Sequence, residues 1–351
     1  MKKEELEKWN LTGLIDPSKY QEKVDISGYS SELLINMLKS MILIRLAEEK
    51  LAEQREIGSI GGPVHLSAGQ EAIAVGVSLN LLSTDRIFGA HRSHSHVLAL
   101  EPCSYQLFAE VLGKDTGLSR GMGGSMHLIN KRSGFFGSAP IVSGTVPLAV
   151  GASFDSLRNG SKDLGVVYIG DGAMEEGVVH ESLNLASILS TPTLFVIENN
   201  LFASHLHISL RQKIFSTARF AEANNIEYAI IDGNNIIEVY ELAKNFTKDS
   251  RNKSKPKFIE AITYRHYGHV DWRKDIDVGV NRSQDDLDNW MKRDPISRLK
   301  ESLIENSVLT LREINELSSD IQSNINSDWE RAMQDPYPED SALLSRVYSN
   351  E

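Results

Sequence analysis

The apolar positions of this chain change period as it runs. Leu33, Leu34, Met37, Leu38, Met41, Ile44 and Leu51 recur at helical spacing, which predicts a long helix over residues 30–56, closed by Gly58 to Pro63. A second helix is expected from near Gly69, and Asp85 to Ala90 reads as a strand. Residues 138–152 pass from small residues into a helix with Pro147 in its first turn. The clearest pattern lies between Gly165 and Phe202. The apolar run Val166 to Ile169 predicts a buried strand that stops at Gly170-Asp171-Gly172. A helical pattern follows through Val178, Leu183, Leu185, Ala186 and Leu189, broken by Thr191-Pro192. A second apolar run, Leu194 to Ile197, ends at Asn199-Asn200. Strand, helix and strand in that order predict a βαβ unit with parallel strands. Both polar loops then sit at the carboxyl ends of the strands, where open α/β sheets bind ligands.

Beyond this unit, residues 203–216 show little periodicity and read as a surface loop over the site. A helix is expected from Ala218 to Ala223 and a strand from Glu227 to Ile231. A turn at 232–235 leads into another helix, then a basic linker at 253–257 and a strand at 258–264. Three helical segments close the chain: 296–305, 311–325 and a short tail after Pro338. The expected class is α/β: a mostly parallel sheet flanked by helices, with helical N- and C-terminal extensions. The expected divisions are 1–29, 30–284 and 285–351.

The 351 residues suffice for one large domain, and 41% hydrophobic residues support a core. The net charge of −11 argues against nucleic acid as a partner. The single cysteine, Cys103, rules out a disulfide framework and reads as a small buried residue. The start, MKKEELEKWNLTG, has no apolar secretory core, and no run approaches the ~20 apolar residues of a membrane helix. The expectation is a cytoplasmic protein.

The loops of the βαβ unit carry the candidate chemistry. Asp171 supplies a carboxylate and Asn200 an amide oxygen, hard ligands of the kind Mg²⁺ shares with phosphates. Glycines on both sides of Asp171 admit a diphosphate close to the backbone. A helix N-terminus near Ala173 would add free N–H groups. GDG alone is as readily a turn, but Asp171 and Asn200 stand 29 positions apart with a strand–helix–strand between them. Upstream, His65 lies at a loop–helix junction. In HRSHSH, His91, His94 and His96 suggest zinc, yet no carboxylate or cysteine stands beside them in sequence. Arg92 offers the planar fork that suits phosphate.

GDG, the intervening helix and NN resemble the thiamine diphosphate signature, and the chain from about residue 30 resembles α subunits of 2-oxo acid dehydrogenase E1 components. VHLSAGQE matches the family's H-x-x-x-GQE run, TYRHYGH its TYR-x-x-GH run, and PYPEDSALLSRVY its tail. The resemblance implies thiamine diphosphate and Mg²⁺ as cofactors. Asp171, Asn200 and the backbone of Phe202 would be metal ligands. Arg92, Pro140, Val142, Gly172, Ala173 and His269 would meet the cofactor, and His65 and His269 would be catalytic, with His94 a weaker candidate. It implies a glycine loop at 119–128 that is mobile until cofactor or partner orders it. It also implies a β subunit, in an α2β2 assembly, that supplies the glutamate activating the cofactor. A lipoyl acyltransferase core is the implied acceptor.

The sequence departs from the family in three places. His91 replaces an aromatic residue, Ser95 replaces a glycine, and Val270-Asp271-Trp272 replaces the serine-led run after His269. Asn281-Arg282 is a displaced counterpart of a Y-R pair. The altered loop leaves open a carboligase or aldehyde transferase using the same cofactor half. A non-enzymatic partner subunit is the remaining alternative.

Overall fold

The computed structural model describes residues 9, 11, 13–276 and 282–345. Six parallel strands form its sheet: β1 (Arg86–Gly89), β2 (Phe135–Ser138), β3 (Gly165–Gly170), β4 (Thr193–Asn199), β7 (Glu227–Asp232) and β8 (Lys257–Ile262). Their order is β2-β1-β3-β4-β8-β7, which puts β3 and β4 at the centre. Between them in sequence and space runs the unit expected from the apolar pattern. Val166 pairs in register with Leu194, and Gly170 with Glu198.

The pleat divides the strand residues between two cores. Val166, Tyr168, Leu194, Val196, Ile259 and Ala261 face one, while Val167, Ile169, Phe195, Ile197 and Phe258 face the other. Both faces are covered, so the strands read as continuous apolar runs rather than alternating ones. On the first face pack α1 (Ser31–Glu56), α2 (Glu71–Ser78) and α8 (Ile236–Lys253). The second carries α5 (Val146–Asn159), α6 (Gly177–Leu189) and α7 (Ala218–Ala223). Two short helices, α3 (His94–Leu100) and α4 (Ser104–Val111), follow β1. A two-stranded hairpin, β5 (Phe202–Ala203) with β6 (Leu206–His207), stands where an irregular loop was expected.

The chain closes with α9 (Gln284–Met291), α10 (Pro295–Glu305), α11 (Leu311–Gln334) and α12 (Ala342–Ser345). The last long helix runs beyond the expected end at 325. Ile325, Trp329 and Ala332 continue its buried stripe, and Trp329 meets Phe108 of α4 edge to face at 5.4 Å. Thr310 and Glu313 form a reciprocal capping box at its start. Leu299, Leu303, Ile314 and Ile325 share the core of α1, and Arg45 of α1 bonds Asp294 at 2.6 Å.

Three local expectations need correction. The helix after the GDG loop does not begin near Ala173: a 3₁₀ turn spans Asp171–Glu175, and α6 starts at Gly177. The basic stretch ending at Lys257 is not all linker, because Lys257 opens β8 and is buried between Glu227 and Asp249. Cys103 is half-buried at the entry to α4. Among the described residues no helix is long and apolar enough to cross a membrane.

Candidate active site

The carboxyl ends of β1, β3, β4 and β8 open into one cleft. It is lined by His91, Arg92, Val142, Gly172, Ala173, Asn200, Phe202 and His269 of the expected residues, joined by Ala139, Ser143, Glu198 and Ser204. Its cavity is about 90 Å³. Sites for small organic ligands usually enclose roughly 300–1,000 Å³, several times this volume. Pro140 lies beside the lining residues but not among them.

Asp171 stands one layer behind the lining, at the end of β3, and is almost fully buried. One carboxylate oxygen is paired with Arg211, which also bonds Glu175; the other has no partner. Burial raises the Asp171 pKa, against the pull of Arg211. Gly172 has to be glycine because of what lies opposite. A Cβ there would come within 2.5 Å of the Ala203 Cβ on β5.

Asn200 follows β4. Its amide nitrogen donates to Gln70 at 3.0 Å, and its oxygen accepts from the backbone N–H of Phe202 at 3.3 Å. Leu201 between them takes a left-handed φ of 71°, an uncommon choice for a branched residue; the Asn199 side chain supports it by accepting the Leu201 N–H. Gln70 was not singled out from sequence, although it lies in the GQE run. It is fully buried, and its own amide nitrogen has no partner. Gly69 holds it in place at φ +98°, where a Cβ would fall 2.4 Å from the Tyr264 carbonyl.

Positive charge concentrates on one wall. Arg92 is buried and donates to the carbonyls of Leu66 at 2.5 Å and His269 at 3.1 Å. Arg265 donates one nitrogen to the Ser204 carbonyl at 3.1 Å, while its other two have no partner. Arg282 bonds the carbonyls of Arg265 and Tyr267 and of Lys274, fastening the loop that bears His269. Asn281 lies outside the described residues. Burial pulls the Arg92 pKa down to about 10; for Arg265, burial and the charges of Arg92 and Arg282 act the same way. Glu48, Glu198 and Asp275 act through space on Arg92 in the opposite sense, as Asp171 and Asp275 do on Arg265.

The histidines sort differently from the sequence expectation. His94 and His96 belong to α3 and are buried and bonded. His94 lies between Glu48 (3.2 Å) and Ser125 (2.9 Å). His96 stacks on Tyr168 with centroids 3.9 Å apart and reaches Glu198 at 3.1 Å. Neither lines the cleft, so the zinc trio drawn from neighbouring positions is not assembled. His91 turns instead toward His65 and His269, with ring centroids 4.7 and 5.5 Å away. His65 to His269 is 5.3 Å. Burial first, then Arg92, lowers all three, to about 3 for His65 and His269 and about 2 for His91. They are neutral imidazoles near pH 7.

The Glu110 carboxylate accepts the backbone N–H groups of Ser119, Gly121, Gly123 and Gly124 at 2.6–3.1 Å. Ser125 adds its bond to His94.

Fold and cleft together define an α/β protein with an arginine- and imidazole-bearing cleft, backed by a buried carboxylate, at the carboxyl edge of its sheet. The sequence profile of the dehydrogenase E1 component family matches residues 39–341. The α subunit of acetoin:2,6-dichlorophenolindophenol oxidoreductase from Bacillus subtilis is 35% identical over 91% of this chain and 94% of its own length. Pyruvate dehydrogenase E1 α subunits from Porphyra purpurea (32% identical; 90% and 93% covered) and Rhizobium meliloti (31%; 92% and 92%) are similar throughout as well. The chain belongs to the dehydrogenase E1 component family, and its relatives are α subunits.

Proposed function

We propose that this chain is the E1 α subunit of a 2-oxo acid dehydrogenase-type complex. In this reading it binds Mg²⁺–thiamine diphosphate with a β subunit, decarboxylates a 2-oxo acid and passes the acyl group to a lipoyl acceptor. One observation carries the reading: unpartnered buried polar atoms gather behind the lining of one cleft, on residues that adjoin it in sequence or bond to it. They are a carboxylate oxygen of Asp171, the amide nitrogen of Gln70 and two guanidinium nitrogens of Arg265. A diphosphate and a hard dication would answer them together.

Asp171, Asn200 and the backbone carbonyl of Phe202 would ligate Mg²⁺. Arg92 and His269 would hold the diphosphate, with Gly172 and Ala173 letting it lie against the backbone and Arg265 balancing its charge. Pro140 and Val142, on the loop before α5, would meet the cofactor's other end through backbone groups. The cofactor, when bound, supplies a nucleophilic carbon and an electron sink for loss of CO₂. His65 and His269, neutral at working pH, would donate and accept protons at the substrate oxygen. The small cavity fits a site completed by a second chain. So do exposed apolar side chains on the loop before α5 and on α5 and α6: Ile141, Val142, Leu148, Leu185 and Ile188. That second chain would be the β subunit, in an α2β2 assembly, contributing the activating carboxylate. In this scheme residues 30–284 bind the cofactor, with 1–29 and 285–351 as extensions.

The test is co-expression with a β-type subunit, followed by titration with thiamine diphosphate with and without Mg²⁺. Pyruvate, acetoin and branched 2-oxo acids are then assayed for lipoyl-domain acylation against an aldehyde acceptor. Mg²⁺-dependent binding and acylation are expected. Absence of cofactor binding by the assembled complex, or appreciable turnover by the isolated chain, refutes the proposal.

A further inference from the structure

Three imidazoles from three separate loops meet at the cleft: His91 and His269 line it, and His65 packs against both. His65 precedes α2, His91 follows β1, and His269 follows β8. One ring nitrogen of each can be chosen so that all lie within 4.8 Å of one another. The rings stand edge to face, with interplanar angles of 62–78°. Elsewhere in the chain His94, His96 and His205 each bond a carboxylate at 3.1–3.2 Å. The three cleft imidazoles have no such partner among the described residues, and Nδ1 of His65, a residue only 8% exposed, is buried without any partner. A convergent imidazole set with one buried, unpartnered ring nitrogen is an unusual arrangement.

We propose that His65, His91 and His269 form a binding site for a zinc-class transition-metal dication, distinct from the oxygen ligands at Asp171 and Asn200. Neutral imidazole suits zinc, copper and nickel, whereas Mg²⁺ takes oxygen ligands, so the two metal classes separate within one cleft. Around tetrahedral zinc, at bonds of about 2.0–2.1 Å, ligand nitrogens stand about 3.4 Å apart. Side-chain rotation has to close at most about 1.4 Å, the difference between that spacing and 4.8 Å. His91 and His269 both line the cleft, from which a fourth ligand would be drawn.

Charge neither drives nor forbids the site. Arg92 and Arg265 oppose a dication, Asp271 acts through space on His65 in its favour, and Asp275 accepts the backbone N–H of His269. Coordination therefore supplies the affinity. Without a carboxylate behind each ring, the site is exchangeable rather than structural. Occupation would engage the two imidazoles that the proposed function uses for proton transfer, and that consequence rests on that reading. The site itself does not.

The experiment uses the full chain, stripped with chelator and titrated with Co²⁺ at neutral pH. One equivalent should give the intense visible absorption of four-coordinate Co²⁺, displaced by Zn²⁺. His91→Phe and His91→Asn should both lose that band, with circular dichroism of the unaltered chain. His127→Ala, at an exposed histidine, should keep it. No four-coordinate band in the unaltered chain overturns the proposal, as does a band that persists in both His91 variants. Thiamine diphosphate titration of the assembled complex is read separately, so failure of the cofactor reading would not be mistaken for failure of this one.

Discussion

Replacing Arg211 by methionine isolates the charge that Asp171 depends on. The Arg211 side chain is 5% exposed and that of Asp171 1%. Removing one member of a buried pair leaves the other charged and alone, at a cost of about 3–5 kcal/mol. The lower end applies here, because Arg211 also spends a bond on Glu175, which is 32% exposed. An expected loss of about 3 kcal/mol follows in urea unfolding with chelator present. A dication bound at Asp171 takes over the lost charge. Saturating Mg²⁺ and thiamine diphosphate should therefore narrow the gap between variant and unaltered chain to below about 1 kcal/mol, beyond the stabilisation both gain from ligand. The pH dependence has a definite sign. Burial raises the Asp171 pKa, and loss of Arg211 raises it further. The folded variant then holds the proton more tightly than its unfolded chain, so its deficit shrinks as pH falls. A gap under about 0.5 kcal/mol in chelator refutes the buried-pair argument. A gap that Mg²⁺ leaves unchanged refutes the placing of the metal at Asp171.

Gly172→Ala should leave the fold near native but lower cofactor affinity at least tenfold by calorimetry, because its Cβ pushes β5 from the GDG loop. Gln70→Ala frees the Asn200 amide that it orients; by analogy with lost second-layer ligand partners, Mg²⁺ affinity should fall about 10–100-fold. A Gln70 variant of unchanged affinity would show that the bond has no positioning role. The three cleft histidines, held neutral with pKa values of about 2–3, contribute stability that is lost as pH falls below the unfolded value near 6.5. Between about pH 6 and 4, His91→Phe should lose stability less steeply by up to ~1.4 kcal/mol per pH unit, the effect of one proton. Equal slopes would contradict its neutral state.

Much of the sheet was legible because both its faces are covered. The runs at 166–169 and 194–197 had nowhere to go but a central parallel pair. The start of α6 was misplaced because Asp171 to Glu175 makes a 3₁₀ turn, and glycine on both sides of Asp171 leaves periodicity silent about where α-helix resumes. That Asp171 and Asn200 follow neighbouring parallel strands was readable from spacing within one βαβ unit. Arg211 and Gln70 were not, since each meets its partner through tertiary closure, across 40 and 130 positions. The histidine cluster shows the same limit. Neighbours in sequence, His91, His94 and His96, go to different surroundings because α3 begins between them and carries the last two inward. The residues that do meet come from three separate loops, one before a helix and two after strands.

The Glu110 cradle has a consequence for how the glycine-rich segment moves. Four amides share one carboxylate, so they cannot open one at a time without crowding or stranding the rest. Residues 119–124 should behave as a single hinged leaf, with their amide hydrogens exchanging at one common rate. A stretch whose composition suggests slack has four of its amides gathered by one carboxylate, and that carboxylate lies on α4, outside the loop.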